Sequence, residues 1–150
     1  MISELVEIKL FNVTNKPSFS EKNQLIDFLH FNMGDFTPSK ETICKSIDYA
    51  VKETPSFGGF IVVSHLNEEI TGVAVINQTG MTAYNPENLL VYLATAVDHR
   101  KKGIAKRLVA KTIDLTNGNI ALNIAANDPS TEIYQHFGFT NSHRQMRFIK

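Results

Sequence analysis

Leu93-Ala94-Thr95-Ala96-Val97-Asp98-His99-Arg100-Lys101-Lys102-Gly103-Ile104-Ala105 runs from a strand end through a basic glycine loop into the start of a helix. The first amides of a helix have no intrahelical acceptor and carry partial positive charge, so a phosphate placed there gains hydrogen bonds and a favourable dipole. Gly103 and the small Ala105 let backbone approach such a group closely, and Arg100, Lys101 and Lys102 add fixed charge. A diphosphate suits this arrangement. The plainer reading is a solvated basic loop, which is what most charge runs are. The segment is not a Gly-x-x-x-x-Gly-Lys-Ser/Thr phosphate loop, nor a three-glycine dinucleotide fingerprint, because it holds a single glycine.

On its N-terminal side, the apolar run Leu89 to Val97 is long enough for a strand buried on both faces. On its C-terminal side, Ile104, Leu108, Val109 and Ile113 keep the helical period until Asn117-Gly118 ends it. Ile120 to Ala125 reads as a short strand. Asp128-Pro129 reads as N-cap and first turn of a last helix, with Ile133 and Phe137 one turn apart and Gly138 just past its end. Phe139 and Met146 to Ile149 are expected to finish the sheet. Upstream, residues 5 to 13 lean to strand and stop at Thr14-Asn15-Lys16-Pro17. Ser18 and Glu21 have capping-box spacing ahead of a helix to Met33, and Thr37-Pro38 opens a second helix ending before Pro55. Phe60 to Val63 and Ile70 to Ile76 form a hairpin around Asn67-Glu68, and Gly80 to Glu87 is a loop. The predicted order is β-α-α-β-β-β-α-β-α-β.

The chain of 150 residues is expected to be one domain, 1–150, since no repeat, linker or low-complexity tract divides it. Fifteen Lys plus Arg balance fifteen Asp plus Glu, so there is no global field to draw in nucleic acid or anionic membrane. No metal is predicted, because His99, His136 and the other histidines fall in no ligand constellation. Cys44 is the sole cysteine, which excludes an internal disulfide and fits a reducing cytoplasm. The opening Met1 to Leu10 carries Glu4 and Glu7 and lacks the pattern of a signal peptide, and no run approaches the roughly 20 apolar residues that span a bilayer.

Arg100, Gly103 and Ala105 match the Arg/Gln-x-x-Gly-x-Gly/Ala pattern of the acyl-CoA loop in the GNAT superfamily of N-acyltransferases. The stretch Asn127 to Phe139 resembles that family's Asn, Tyr and Gly-Phe ending, here Asn127, Tyr134 and Gly138-Phe139. The resemblance implies a three-layer α/β fold: a central, mixed, mostly antiparallel twisted sheet with helices on both faces. It implies an N-acetyltransferase moving an acetyl group from acetyl-CoA to a primary amine by direct attack in a ternary complex. It also implies that Thr95, Ala96 and Val97 border a gap between splayed strands where pantetheine pairs with backbone. The diphosphate would then rest on the amides of Arg100, Lys101, Lys102, Gly103, Ile104 and Ala105, extending to Lys106, with Asn127 on the cofactor arm. In the family the first two helices and the loop before the splayed strand shape the acceptor site, and dimers are common, so a homodimer is among the expectations.

Tyr134 falls where the family keeps a tyrosine that protonates or hydrogen-bonds the departing CoA sulfur. A lone aromatic on a short helix could equally serve packing between Ile133 and Phe137. The family's frequent Glu on the strand before the loop is missing, since Leu89 to Val97 holds no carboxylate. A lysine-like amine with pKa about 10.4 must lose a proton before attack. Asp98 lies just beyond the strand, and Asp35, Glu41, Glu53 and His65 are elsewhere; each reads more readily as surface or capping polarity, and water relays or a weakly basic amine are the alternatives. The missing carboxylate also keeps open a CoA-binding sensor or scaffold without turnover. A basic-loop RNA binder is disfavoured by the zero net charge and the lack of an aromatic-basic motif.

Overall fold

The structure is a computed structural model that describes residues 6–34, 37–100, 103–125 and 127–150. Strand β1 (Val6–Phe11) is followed by helices α1 (Phe19–Asn32) and α2 (Lys40–Val51). Strands β2 (Gly59–Leu66), β3 (Glu69–Gln78) and β4 (Asn88–Thr95) come next, then helix α3 (Ile104–Leu115), strand β5 (Ile120–Leu122) and helix α4 (Thr131–His136). The sheet runs β1-β2-β3-β4-β5 in sequence order. Neighbours are antiparallel except β4 and β5, which are parallel.

Local signals account for most element boundaries. The Glu21 amide donates to Ser18 Oγ at 3.1 Å while its carboxylate accepts from the Ser18 amide at 2.9 Å, closing the expected capping box on α1. At α2 the cap is Ser39 rather than Thr37: Ser39 Oγ accepts from the Thr42 amide at 3.1 Å, and Thr37 turns its hydroxyl to the Gly34 carbonyl. Asp128 holds the turn ahead of α4 rather than the helix itself, accepting from the Ser130 amide at 2.8 Å. Asn67 and Glu68 take positive φ at the β2–β3 hairpin, as a tight two-residue turn requires.

Alternation along the strands splits the core between the two faces of the sheet. Leu25, Leu29, Ile43, Ile47 and Ala50 of α1 and α2 pack on Ile61, Val63, Val73, Val75 and Ala94. On the other face Ile104, Leu108 and Val109 of α3, with Tyr134 of α4, pack on Phe60, Val62, Ala74, Ile76 and Leu90. Helix α3 lies close to the sheet because Gly72 has no side chain. A Cβ there would stand 2.7 Å from Leu108 Cδ1 and 2.9 Å from Ile104 Cγ2. Gly72 pairs with Thr95, so this seat fixes the start of α3 over the end of β4.

Leu90 and Ala94 are four residues apart, yet they face opposite sides. Val75 pairs with Tyr92 and Ile76 with Leu90, which leaves Val91 as an extra residue in β4. A bulge of this kind flips the side chains beyond it and bends the strand. Pairing with β5 ends at the same point: Asn88↔Ile120, Leu89↔Ala121 and Leu90↔Leu122 are its three rungs, whereas pairing with β3 continues to Thr95. Pairing stops there because β5 ends at Leu122, and at this fork β4 runs on to Thr95 without β5 beside it.

The closed end of that fork is pinned by side chains. Asn88, buried, donates through Nδ2 to the Asn117 carbonyl at 2.6 Å. Glu87 accepts from the Asn119 amide at 2.7 Å and from the Ala83 amide at 3.1 Å. Gly118, at φ +88°, has no room for a Cβ beside the Glu87 carboxylate.

The strand expected over Ile120 to Ala125 stops at Leu122, and the last expected strand does not form. Residues 139–150 form no strand, and Met146, Phe148 and Ile149 stand exposed. A strand needs a paired edge, and β5 offers three extended residues. Phe139 nevertheless joins the core, edge-on to Tyr134 with ring centroids 5.7 Å apart.

The staple carries a pH signature. Hydrogen bonds from the Asn119 and Ala83 amides hold the Glu87 carboxyl below its ordinary value of 4.5. A depressed carboxyl stabilises the fold above its unfolded pKa and loses that contribution as pH falls through the folded value. Thermal melts of the parent and Glu87→Gln should therefore differ by a constant amount above about pH 5, and the difference should shrink as pH drops further below 4.5. A difference independent of pH would contradict a charged staple.

Candidate functional site

The fork exposes one backbone edge of β4. Ala96 N donates to Thr71 O at 2.9 Å, so Ala96 and, two residues back, Ala94 turn their peptide groups toward β3. Strand alternation then turns the peptide groups of Leu93 and Thr95 toward the gap, where β5 no longer reaches. An extended amide-bearing chain could pair there as an added strand.

Beyond Thr95 the chain makes a 3-10 turn at Val97–His99, in which Val97 is exposed. It returns at Gly103, the N-cap of α3 with φ +79°. No side chain caps this helix and no acidic residue lies in its first turn. Among the described residues, no side chain accepts from the amides that open the helix at Gly103, Ile104, Ala105 and Lys106. A Cβ built on Gly103 meets nothing within 4 Å among the described residues, so the space beside this glycine is open. Ile104, 3% exposed, anchors the helix start in the core, whereas Lys106 is exposed. These features suit a diphosphate, since the amide cradle and the dipole point at one open volume. Lys101 and Lys102 lie outside the described residues.

Arg100 is exposed, and its Nη2 donates to the Asn32 carbonyl at 3.2 Å, at the end of α1. Asn127 sits exposed in the turn before α4.

Tyr134 is buried, 8% exposed, in the cluster that also holds Leu90, where β4–β5 pairing stops, and Ile104, where α3 begins. Leu93, beyond the last β4–β5 rung, and Leu122, in that rung, pack against the same cluster. Burial pushes the phenol above its ordinary pKa, the charge of Asp128 pushes the same way, and the Ser130 hydroxyl partly offsets both. The group is a protonated donor throughout the physiological range.

Of the carboxylates considered as bases from the sequence, two are held in ion pairs with lysines. Glu41 and Glu53 pair with Lys45 and Lys16 at 3.8 Å and 3.5 Å. Asp98 is exposed on the 3-10 turn, and Asp35 lies outside the described residues. His65 is across the sheet, opposite Glu7 on β1, in a shallow groove of about 410 Å³ lined also by Ile8, Lys9 and Glu68. That groove is remote from the loop. Burial and the Lys9 charge lower the His65 pKa. Among the described residues no group of His, Cys, Asp or Glu could hold a metal ion. No described helix is long and apolar enough to cross a membrane.

Sequence reasoning missed the Val91 bulge, the Glu87 and Asn88 staple and the destination of the Arg100 side chain. Asn88 at the head of an apolar run was the available signal, since a polar residue there has to find partners.

Comparison with known proteins agrees with this geometry. Residues 57–141 match the acetyltransferase (GNAT) domain family. An aminoglycoside acetyltransferase from an uncultured soil metagenomic sample, in complex with trehalose, is similar in structure: TM-score 0.69 and 18% identity over 100% of this chain and 98% of that one. The aminoglycoside N-acetyltransferase AAC(6')-Iy, in complex with CoA, gives TM-score 0.66 and 13% identity over 97% of this chain and 94% of that one. A ribosomal-protein-alanine N-acetyltransferase from Brucella melitensis biovar Abortus 2308 gives 0.65 and 14% over 97% and 99%. At these identities the likeness concerns the fold. No curated protein sequence matches the chain. The match across 57–141, which spans the fork, the amide cradle and Tyr134, assigns the chain to the GNAT acetyltransferase family, and it is an acyltransferase.

Proposed function

We propose that the protein is a single-domain N-acetyltransferase of the cytoplasm that moves the acetyl group of acetyl-CoA to a primary amine, by direct attack with both substrates bound. The observation that carries this reading is a coincidence in space: the unpaired β4 edge beyond Leu90 leads into the uncapped amides at Gly103–Lys106. An arm of amides followed by a diphosphate has the chemistry to fill both. In this reading Thr95, Ala96 and Val97 border the arm, the backbone from Arg100 to Lys106 holds the diphosphate, and Asn127 contacts the arm from the facing turn.

The reaction joins the amine nitrogen to the acetyl carbonyl carbon and breaks the carbon–sulfur bond, and the proton that the amine gives up balances the one that the sulfur takes. Tyr134 serves the sulfur. A thiol has pKa about 8.5 and an unperturbed phenol about 10. With the phenol held higher still, net transfer of its proton to a thiolate runs uphill, so Tyr134 acts chiefly as a hydrogen-bond donor as charge builds on sulfur. Attack is assigned to an amine that loses its proton through water, or to one weakly basic enough to arrive neutral. A primary amine of a small molecule or of a protein meets these requirements.

Two variants test the reading. With CoA at about 100 times its Kd the parent should gain roughly 2.7 kcal/mol of stability, a rise of about 5–10 °C in melting temperature. Gly103→Val puts a branched side chain into the open volume and strains a positive φ, so the shift should fall below half. Equal shifts in parent and variant would remove the amide cradle from the account.

Tyr134→Phe keeps the ring in the core and removes the donor. Release of free thiol from acetyl-CoA, followed across a panel of amines, should slow by about 10²- to 10⁴-fold with little change in affinity for acetyl-CoA. Unchanged kcat would confine Tyr134 to packing. Tight CoA binding by the parent with no thiol release from any amine would instead indicate a binding module.

A further inference from the structure

We infer that the Arg100 side chain is a positioning residue that clamps the amide loop to the C-terminal end of α1, and that its guanidinium is not a phosphate ligand. The Asn32 carbonyl belongs to the last turn of α1, where helix carbonyls have no intrahelical donor. A cation there satisfies the acceptor and meets the negative end of the helix dipole. Arg100 supplies it through Nη2 at 3.2 Å, across 68 residues of sequence.

Both partners of the clamp explain its leverage. Helix α1 is a firm anchor: Leu25 and Leu29 are 1% and 0% exposed in the core, the capping box closes one end, and Asn32 is buried with Nδ2 donating to the Phe28 carbonyl at 2.9 Å. The loop is the loose partner. Among the described residues, the bonds of the turn at Val97–His99 are local, His99 N to Ala96 O at 2.9 Å and Arg100 N to Val97 O at 3.4 Å, and Val97 and Asp98 are exposed. Among the described residues, Arg100 is therefore the polar tie between this turn and a different layer of the fold. Three residues later Gly103 opens the amide cradle, so the clamp sets where those amides point.

The contact exists without ligand. It rests on the proposed cofactor site only for its consequence, a preformed cradle. The experiment is hydrogen exchange across residues 29–34 in the ligand-free protein, with CoA and pantetheine affinities measured in parallel. In Arg100→Ala the end of α1 should exchange roughly 3- to 10-fold faster, the loss expected for one hydrogen bond of this kind. Arg100→Lys should recover part of the protection, because an ammonium can also donate to a carbonyl. CoA affinity should fall by a similar factor in Arg100→Ala and should recover with lysine in step with the exchange. Should the alanine variant fail to fold, Arg100→Gln, whose shorter amide cannot reach Asn32, reports the same exchange. Unchanged exchange at residues 29–34, with CoA weakened and pantetheine unaffected, would overturn the clamp and return Arg100 to the phosphates. If the parent binds no CoA yet Arg100→Ala still loosens α1, the clamp stands and the cofactor reading fails.

Discussion

The extra residue in β4 at Val91 is the constraint on which the rest of the structure depends. It bends the strand at the rung where pairing with β5 ends, and it moves Ala94 to the opposite face from Leu90. β5 stops after three residues, opposite Leu90, while β4 runs on to Thr95. Among the described residues, the peptide groups of Leu93 and Thr95 face the side of β4 on which strand pairing has ended. Buried or sheltered peptide groups seek partners, so such an edge favours a ligand that carries amides of its own.

Three supports keep the fork open at one end and closed at the other. Asn88 and Glu87 tie the closed end to the turn before β5. Gly72 lets α3 sit directly on β3, which brings the amides of Gly103 to Lys106 to the mouth of the fork. Arg100 secures the intervening turn to α1. Tyr134 then reaches the same place from α4, packed in the cluster that contains Leu90 and Ile104. In the function proposed above, this arrangement is a site made mostly of backbone, in which side chains position the backbone and the Tyr134 phenol is the donor.

The loop and the two central faces were legible because their signals are local. A basic glycine loop between a strand and an amphipathic helix is read within thirteen residues, and the Ser18–Glu21 capping box within four. The bulge was not legible, because Leu89 to Val97 is mostly apolar and has no alternation for an extra residue to break. Partners distant in sequence were equally silent: Glu87 meets Asn119, and Arg100 meets Asn32, across loops whose course no local pattern encodes. The apolar spacing of Met146, Phe148 and Ile149 misled in the other direction, since strand propensity describes a surface that packs well and does not supply the neighbour. Tyr134 shows the limit of both approaches: resemblance placed it in the chemistry, and burial alone would place it in the core.

The central claim is that the β4 edge and the α3 amides together receive acetyl-CoA. A crystal structure of the protein with acetyl-CoA tests it most directly. The account predicts the pantetheine arm between β4 and β5 beyond Leu90, paired with the peptide groups of Leu93 and Thr95, and the diphosphate on the amides of Gly103 to Lys106. An acetyl-CoA bound elsewhere, such as the groove of Glu7, Lys9, His65 and Glu68 at the far edge of the sheet, with the fork left closed to it, would contradict the account.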